Sequence, residues 1–185
     1  MSELVIRPAR EEDSPALRGL WAEVFGDGEE LIGAFFRLLW RPEDCAVAEC
    51  GGQLVSMGFC LPGAAALGLR CSYIYAMATS APFRGRGAAR EVGRRLISRA
   101  FASGADVVAT LPAEPSLCRW YDEKLGMSPL FKKGGPGVEF PTAWLDFAAV
   151  CGPHSDGTPD MLWAVARPGL DPEGLRGLGW ECTFD

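Results

Sequence analysis

The sequence predicts a domain of the α/β (α+β) class, and three patterns in the chain lead to this prediction. Apolar residues recur at helical spacing between Leu17 and Phe25, which is typical of an amphipathic helix. Two short apolar runs flank the Gly51-Gly52 pair, a signal for a β-hairpin. From about residue 69 onward, strand-like and helix-like segments alternate, which favours parallel strands joined by crossover helices. With 185 residues, the chain has the length of one ordinary domain with a substantial core.

The first third of the chain is predicted to contain a short strand, two helices and the hairpin. Pro8 ends the strand 4–7, and the first helix begins with Ser14 as N-cap and Pro15 at the first helical position. The second helix, about 29–39, is apolar on most sides, so it must be covered by other elements or must line a pocket. The hairpin strands are 45–50 and 54–61, and a Gly- and Ala-rich linker, 62–68, follows them.

The remainder alternates strands with helices until its pattern becomes irregular. The helix after Gly87 has apolar residues on one face and arginines on the other, which indicates packing against a sheet. Pro141 interrupts or starts the segment 138–150, which we predict as a strand, and the composition of 151–160 is typical of a loop. The predicted elements are strand 69–79, helix 88–103, strand 106–111, helix 115–125, strand 127–131, strand 138–150, strand 161–166, a helical turn at 172–175 and an extended segment, 180–184.

The charge balance argues against some classes of partner. Lys and Arg number 18 against 24 Asp and Glu, which gives a net charge of -6. Non-specific nucleic-acid binding needs a basic surface, so no nucleic acid is expected, and a small cationic or neutral partner fits the charge better. No stretch approaches about 18 consecutive apolar residues, so no membrane partner is expected. The opening Met1-Ser2-Glu3 has no apolar signal segment, which predicts a cytoplasmic protein.

The cysteine pattern predicts no metal site. The seven cysteines are an odd number, and no two of them form a Cys-x-x-Cys pair. The single histidine, His154, adds no paired ligand, so no metal is predicted. Reduced and mostly buried thiols are the expectation, which agrees with a cytoplasmic location.

The segment most informative about function is 84–89 (Arg-Gly-Arg-Gly-Ala-Ala), which follows a strand and begins a helix. The first N–H groups of a helix lack partners inside it, and the helix dipole favours negative charge there. The glycines let the backbone approach an anion closely and the arginines add cationic donors, so the segment predicts a pyrophosphate-binding loop. A nucleotide P-loop run is missing, and the dinucleotide pattern fails because Arg90 stands where its third glycine is needed.

This segment resembles the coenzyme A loop of the GNAT acetyltransferase family. The family pattern is Gln/Arg-x-x-Gly-x-Gly/Ala, and Arg84, Gly87 and Ala89 match its three specified positions. Downstream, residues 120–127 (Trp-Tyr-Asp-Glu-Lys-Leu-Gly-Met) resemble the family's aromatic-containing helix that leads into Leu-Gly-Phe. The resemblance covers about residues 4–131.

The resemblance implies a fold, a cosubstrate and a reaction. The fold is a mixed, mostly antiparallel central sheet, splayed in the middle and flanked by about four helices. Acetyl-CoA is the implied cosubstrate and enters at the splay, where the acceptor amine attacks the thioester carbonyl directly and the strand near Met77 polarises that carbonyl. Residues 1–131 are the predicted GNAT core, and residues 132–185 complete the domain or serve as a lid or dimer arm. The implied coenzyme A-binding residues are Met77, Ala78, Thr79, Arg84, Gly85, Arg86, Gly87, Ala88, Ala89 and Ser116.

Two residues are candidates for proton transfer. Tyr121 is the candidate acid because many relatives place a tyrosine near the leaving thiolate. Counted back from Gly126, however, Asp122 stands at the usual offset of four, and one residue rotates a helix by about 100°. Glu114 is the best-placed candidate base, although a helix N-terminal role for it and a water chain in its place stay open. Ser116 either contacts the pantetheine arm or caps the helix.

The predicted function is the acetyl-CoA-dependent N-acetylation of an unidentified small-molecule amine. The alternative is a catalytically inactive coenzyme A-binding sensor or interaction module, and protein or peptide acceptors stay open within the first class. A homodimer through the strand 161–166 is a further open possibility, and His154 is expected to be exposed. The acceptor pocket is expected between residues 15–39 and the segment after 131. The aromatic candidates for its lining, or for the core, are Trp21, Phe35, Phe36 and Trp40.

Overall fold

One mixed β-sheet and five α-helices make up the part of the chain that the computed structural model describes, residues 2–185. The strands are β1 Leu4–Pro8, β2 Cys45–Cys50, β3 Gln53–Ala66, β4 Leu69–Thr79, β5 Val107–Thr110, β6 Ser128–Lys133, β7 Met161–Ala166 and β8 Gly179–Trp180. The helices are α1 Ser14–Phe25, α2 Glu29–Leu38, α3 Ala88–Ala102, α4 Cys118–Leu125 and α5 Thr142–Cys151. The sheet order is β1-β2-β3-β4-β5-β7-β6-β8. The predicted fold class is confirmed.

The first four strands pair antiparallel, each with the next. The predicted hairpin connects β2 and β3 through Gly51 and Gly52, whose φ angles of +59° and +82° are ones that glycine adopts most readily. The prediction of a linker over 62–68 is largely wrong, because β3 continues to Ala66. Its last three residues, Ala64 to Ala66, still pair with β4 after an irregularity in the register that follows Leu61.

The sheet opens between its two central strands. β4 pairs in parallel with β5 over residues Cys71–Ile74 and Val107–Thr110, as the strand and helix alternation predicted. β5 ends at Thr110, whereas β4 continues to Thr79. Within residues 2–185, no strand therefore lies beside the edge of β4 over residues 75–79 on this side. This opening is the splay that the family resemblance implied.

A β-bulge turns β4 at the same point. Ala76 and Met77 stand opposite the single residue Gly58 of β3, and Ala76 has a φ of +52°, which is unusual for a residue with a side chain. A Cβ atom at Gly58 would lie 2.9 Å from Cδ1 of Leu96, so helix α3 packs directly on the bulge. A bulge bends its strand and redirects the following side chains. The bend therefore helps to separate β4 from β5.

The helices cover the two faces of the sheet in two groups. The face covered by α1, α2 and α5, here called the α1 face, is packed with aromatic rings. Trp21 and Phe35 lie 4.9 Å apart between ring centroids, and Phe35 and Phe59 lie 4.7 Å apart. The face covered by α3 and α4, here called the α3 face, is packed with Val92, Leu96 and other mostly aliphatic side chains. Each face thus has its own apolar core.

The last part of the chain is built into the same sheet. β7 lies between β5 and β6 and is antiparallel to both, so β5 and β6 are not neighbours. The strand predicted over 138–150 is wrong, because Thr142–Cys151 forms α5, one helix more than the predicted four. Trp144, Phe147 and Cys151 recur at i, i+3 and i+7, a helical period that places Trp144 and Phe147 in the core. Within residues 2–185, no helix combines the length and apolar character needed to cross a bilayer.

Candidate active site

A cavity of about 680 Å³ occupies the opening between β4 and β5. Tyr73 and Tyr75 line it from the α1 face, and Ile74 and Tyr121 line it from the α3 face. Successive side chains of a strand point to opposite faces of a sheet, so a lining of this kind means that the cavity passes through the sheet at the splay. It therefore connects two chemically different surfaces.

The loop 84–89 has the geometry of an anion site. Gly85 and Gly87 have φ angles of +75° and +84°, and α3 begins directly after them. Among the described residues, no group accepts a hydrogen bond from the N–H groups of Ala88, Ala89 or Arg90, and the helix has no side-chain cap. Unpartnered N–H groups at a helix N-terminus attract phosphate oxygens. The structure thus brings together the backbone donors that the sequence predicted.

Arg84 connects this loop to the open edge of β4. Its Nε donates a hydrogen bond to the backbone oxygen of Thr79 over 3.0 Å, and Arg84, Met77 and Thr79 all line the cavity. Ala78, a further predicted binding residue, is buried and pairs with Met57 of β3. Four of the predicted cosubstrate residues of β4 and of the loop therefore line the same cavity: Met77, Thr79, Arg84 and Ala89. The others are not part of the described lining: Ala78, Gly85, Arg86, Gly87 and Ala88.

Tyr121 lies in the cavity wall, and Asp122 does not. Tyr121 is 8 % exposed and belongs to the core of the α3 face, whereas Asp122 is exposed at the surface. Burial raises the pKa of Tyr121 to about 12, and interaction with the Thr110 side chain offsets part of the rise. The Tyr121 hydroxyl is therefore protonated near neutral pH and is available as a proton donor.

Glu114 and Ser116 lie outside the cavity. Both are exposed, and the Ser116 hydroxyl donates a hydrogen bond to the Glu114 carboxylate over 2.6 Å. Neither residue is part of the described cavity lining, although their neighbours Ala113 and Leu117 are. The roles predicted for Glu114 and Ser116 stay predictions.

The wall on the α1 face is aromatic and acidic. Trp21, Phe25 and Tyr75 line it, together with Asp27, which accepts a hydrogen bond from the Trp21 Nε1 over 2.8 Å. Burial raises the pKa of Tyr75 well above its usual value, and Cys151, Asp27 and Asp185 raise it further. Of the aromatic residues proposed from the sequence, Trp21 therefore lines the cavity. The other three, Phe35, Phe36 and Trp40, pack in or against the core instead.

The segment 183–185, which is distant in sequence from β4, completes this wall of the cavity. The Tyr73 and Tyr75 hydroxyls donate hydrogen bonds to the backbone oxygens of Thr183 and Phe184, over 2.7 and 3.2 Å. Phe184 has a φ of +60°, so a second residue in this cavity wall, besides Ala76, has a strained backbone. Strain of this kind is held by the surrounding contacts and is common at functional sites.

The Asp185 carboxylate fixes the loop 152–160 to this wall. Its side chain is 7 % exposed and accepts hydrogen bonds from the Ser155 N–H over 3.0 Å and from the Thr158 and Thr183 hydroxyls. His154 Nδ1 lies 3.0 Å from the same carboxylate. His154 is therefore half-buried rather than fully exposed as predicted, and it is not part of the described lining.

Sequence reasoning missed Asp27, Tyr75 and Asp185 as residues of the site. Asp27 stands between two glycines, a sequence typical of a turn that ends a helix. Tyr75 lies in a predicted strand and has no feature that marks it as functional. Asp185 lies in a segment with no recognisable motif. Only the proximity of the two carboxylates to the aromatic wall makes them candidates.

A splayed mixed sheet with an open strand edge beside a helix-N-terminal anion loop defines an acetyltransferase fold. The family model described as "Acetyltransferase (GNAT) domain" matches residues 5–123, well over half of the chain. The chain therefore belongs to the GNAT acetyltransferase family. Acetyl-CoA is the cosubstrate of this family.

Solved structures share this fold at low sequence identity. The GNAT family N-acetyltransferase YhbS from Escherichia coli, solved in complex with CoA, matches with a TM-score of 0.69 and 17 % identity, covering 100 % of this chain and 93 % of its own. Glucosamine-6-phosphate N-acetyltransferase from Arabidopsis thaliana matches with a TM-score of 0.56 and 21 % identity over 68 % of this chain and 92 % of its own.

Other structural relatives are much longer than this chain. A GCN5-related N-acetyltransferase from Anabaena variabilis matches with a TM-score of 0.56 and 18 % identity, over 70 % of this chain but only 33 % of its own. The chain thus spans about a third of the length of that protein. A search of the curated proteins gave no match. At these identities, the structural likeness establishes the fold.

Proposed function

We propose that this chain transfers the acetyl group of acetyl-CoA to the amine of a small-molecule acceptor. One observation carries the proposal: a single cavity joins the anion loop 84–89 and the open edge of β4 to Tyr121 and, through the sheet, to the wall on the α1 face. Such a cavity holds two substrates from opposite faces with their reactive groups meeting at the splay. Holding two reactants in this way supplies much of the rate enhancement of a transfer reaction.

The residues of the α3 face fit coenzyme A. A Cβ atom at Gly85 would meet no heavy atom within 4 Å, and at Gly87 only the end of the Arg90 side chain, so there is open space beside both glycines. The free N–H groups of residues 88–90 would hold the pyrophosphate there. The unpaired edge of β4 at Met77 and Thr79 would hydrogen-bond the pantetheine arm as an additional strand does.

The reaction is then a direct displacement. The acceptor nitrogen attacks the thioester carbonyl carbon, so that a C–N bond forms, the C–S bond breaks and the nitrogen releases a proton. The thiolate leaves and takes up a proton from the Tyr121 hydroxyl, which is restored from water. Backbone N–H groups of the β4 edge near Met77 stabilise the charge that develops on the carbonyl oxygen. Because Glu114 lies outside the cavity lining, we assign removal of the nitrogen proton to water.

We propose that residues 1–131 form the catalytic core. Residues 132–185 complete the acceptor side through α5, the loop 152–160 and the segment 183–185. We propose a cytoplasmic location, because the seven cysteines are free among the described residues and several are buried.

Calorimetric titration of the full chain with acetyl-CoA tests the proposal, with adenosine diphosphate as the control ligand. We expect micromolar binding, about −8 kcal/mol, that is much tighter than for the control. Incubation with a panel of amines, followed by mass spectrometry, should then show acetylated amine and free coenzyme A in equal amounts. Absence of binding would refute the proposal. Binding with an intact thioester under all conditions would indicate the sensor or interaction module instead.

A further inference from the structure

The half of the cavity on the α1 face has a charge pattern that acetyl transfer alone does not require. Of the described residues in the lining, Arg84 is the one basic side chain, and it lies at the loop where α3 begins. The acidic residues of the lining are Asp27 and Asp185, and both belong to the α1 half. One end of the cavity therefore suits an anion and the other end suits a cation.

Asp27 presents a carboxylate that has no cationic partner among the described residues. It follows Gly26, whose left-handed φ of +72° ends α1 and turns the chain toward the cavity. Its Oδ2 accepts the bond from Trp21 Nε1, and the Trp21 side chain is almost fully buried, so the indole fixes the carboxylate in the wall. No Lys, Arg or His of the described residues forms a salt bridge with Asp27.

Asp185 is different, because the protein itself compensates its charge. Its two oxygens accept bonds from Ser155, Thr158 and Thr183, and the Lys133 Nζ lies 4.0 Å away. Burial by itself would raise the pKa of Asp185, but the hydrogen bonds outweigh it, and the net shift is downward. Asp185 therefore holds the wall together, and Asp27 is the carboxylate free to bind a ligand.

The surface around Asp27 is aromatic. Trp21, Phe25 and Tyr75 surround this end of the cavity, with the Trp21 and Tyr75 rings 5.5 Å apart and the Trp21 and Phe25 rings 6.4 Å apart. Aromatic faces attract cations and bury apolar groups. A ligand that matches both the carboxylate and the rings has an ammonium group on an apolar or aromatic body.

We infer that the acceptor is such a compound: a primary amine on an aromatic or apolar body, bound as its ammonium ion by Asp27 against Trp21, Phe25 and Tyr75. The inference rests on the proposed function and specifies its substrate class. The bound ammonium loses one proton to water before its nitrogen attacks the thioester. Acceptors that carry a carboxylate or phosphate beside the amine are disfavoured, because their negative charge would meet Asp27 and Asp185.

The first test measures binding to the unmodified chain in the presence of saturating coenzyme A, which cannot donate an acetyl group. The probes are 2-phenylethylamine, 2-phenylethanol with the same body but no charge, and glucosamine 6-phosphate. A charge-assisted hydrogen bond contributes about 1.5–3 kcal/mol, or about 10- to 100-fold in affinity. We expect 2-phenylethylamine to bind more tightly than 2-phenylethanol by this factor. The difference between 2-phenylethylamine and glucosamine 6-phosphate should be larger. Equal affinity for amine and alcohol, or preference for the sugar phosphate, would overturn the inference.

The second test uses Asp27→Asn, whose side-chain oxygen can still accept the bond from Trp21. We expect 2-phenylethylamine to bind about 10- to 100-fold more weakly to this variant, with unchanged coenzyme A affinity. Asp146→Asn, the same change at an exposed position of α5, should bind both as the unmodified chain does. Unchanged amine affinity in Asp27→Asn would contradict the assignment.

Activity separates this inference from the proposed function. Amine binding that depends on Asp27 but leads to no acetyl transfer from acetyl-CoA supports the amine site at Asp27 and refutes the transferase, and with it the role of the amine as acceptor. If amines are acetylated but kcat/KM is the same in Asp27→Asn, the proposed transferase function is supported and the inference about Asp27 is overturned.

Discussion

The two halves of the cavity are built in different ways. The half on the α3 face uses the backbone of one continuous segment, 84–89, and the free edge of one strand. The half on the α1 face uses side chains from the end of α1 and from 183–185. The bond that joins Tyr73 to Thr183 spans 110 positions of the chain. A locally encoded surface therefore faces one that only the whole fold assembles.

Because the two halves are built differently, substitutions in each half should have different consequences. Backbone donors at a helix N-terminus recognise phosphate whatever the side chains around them are, so the α3 half suits a fixed cosubstrate. A wall of side chains can be altered without moving the loop, so we propose that the α1 half selects the acceptor. Substitutions in one half should leave the binding of the ligand in the other half unaffected. Tyr121 belongs to the α3 half.

Tyr121→Phe is expected to have the largest effect. Loss of the hydroxyl removes the proposed proton donor and should lower kcat by at least about 100-fold, while the acetyl-CoA affinity and melting temperature change little. Because the pKa of Tyr121 is raised to about 12, the hydroxyl keeps its proton as pH rises through 8 to 10, so its ionisation should cause no loss of activity there. Steady-state kinetics with calorimetry checks both points.

Asp122→Asn is the matched control for Tyr121→Phe. Asp122 is the neighbouring helix residue but is exposed, so turnover should be unchanged. Near-normal turnover in Tyr121→Phe, or a large loss in Asp122→Asn, would show that the cavity wall has been assigned to the wrong residue.

Arg84→Ala tests the cosubstrate-binding role proposed for the α3 half. The change removes a cationic group and the bond to Thr79, so we expect acetyl-CoA to bind about 10-fold more weakly. Amine affinity should stay the same. Arg95→Ala removes the same charge from an exposed position of α3 and should have little effect. Calorimetry with both ligands decides: equal losses in the two variants would mean a general charge effect rather than a contact at the loop.

Asp185→Asn tests the α1 side and should have the smallest effect. An amide presents N–H groups toward donors that now face a carboxylate, so we expect a loss of about 1 kcal/mol in the free energy of unfolding. Because the folded pKa of Asp185 is lowered, its contribution is present above the unfolded value near 3.9 and is lost as pH falls through the folded value. The difference between variant and unmodified chain should therefore disappear in strong acid.

Denaturant unfolding at several pH values, with Asp156→Asn in the same loop as control, measures this difference. Asp156 is exposed, and its replacement should be neutral at every pH. Acetyl-CoA affinity should be unchanged in both variants. A stability difference that grows as pH falls would have the wrong sign and would contradict the role given to the Asp185 carboxylate.

Much of the fold was predictable where the determining pattern is local. The hairpin at Gly51 and Gly52, the helix that follows Gly87 and the parallel pairing of β4 with β5 all follow from turn chemistry and periodicity. The helix α5 differs from the predicted strand because an apolar run near Pro141 is also typical of a strand, and only the i, i+3, i+7 spacing of Trp144, Phe147 and Cys151 favours a helix. A short apolar run does not distinguish a buried helix from a strand unless its period is counted.

The site divides in the same way. The residues of the loop 84–89 can be predicted from the sequence because unpartnered N–H groups and glycines are properties of a continuous segment. Tyr121 was found by resemblance, but only the packing of α4 decided that it, and not Asp122, faces the cavity. Glu114 is predicted as the base from its position after a strand. In the structure its carboxylate lies at the surface and accepts a hydrogen bond from the Ser116 hydroxyl.

By itself, then, the sequence determined the glycine-rich loop 84–89, the strand and helix around it and the negative net charge, because these depend on neighbours in the chain and on summed charge. The tertiary structure decided which side chains form the acceptor wall. Asp27 and Asp185 are candidates because the fold places their carboxylates beside an aromatic wall, and Tyr75 because its hydroxyl bonds to Phe184, 109 positions along the chain. A contact of that span forms only when the folded sheet brings the two segments together.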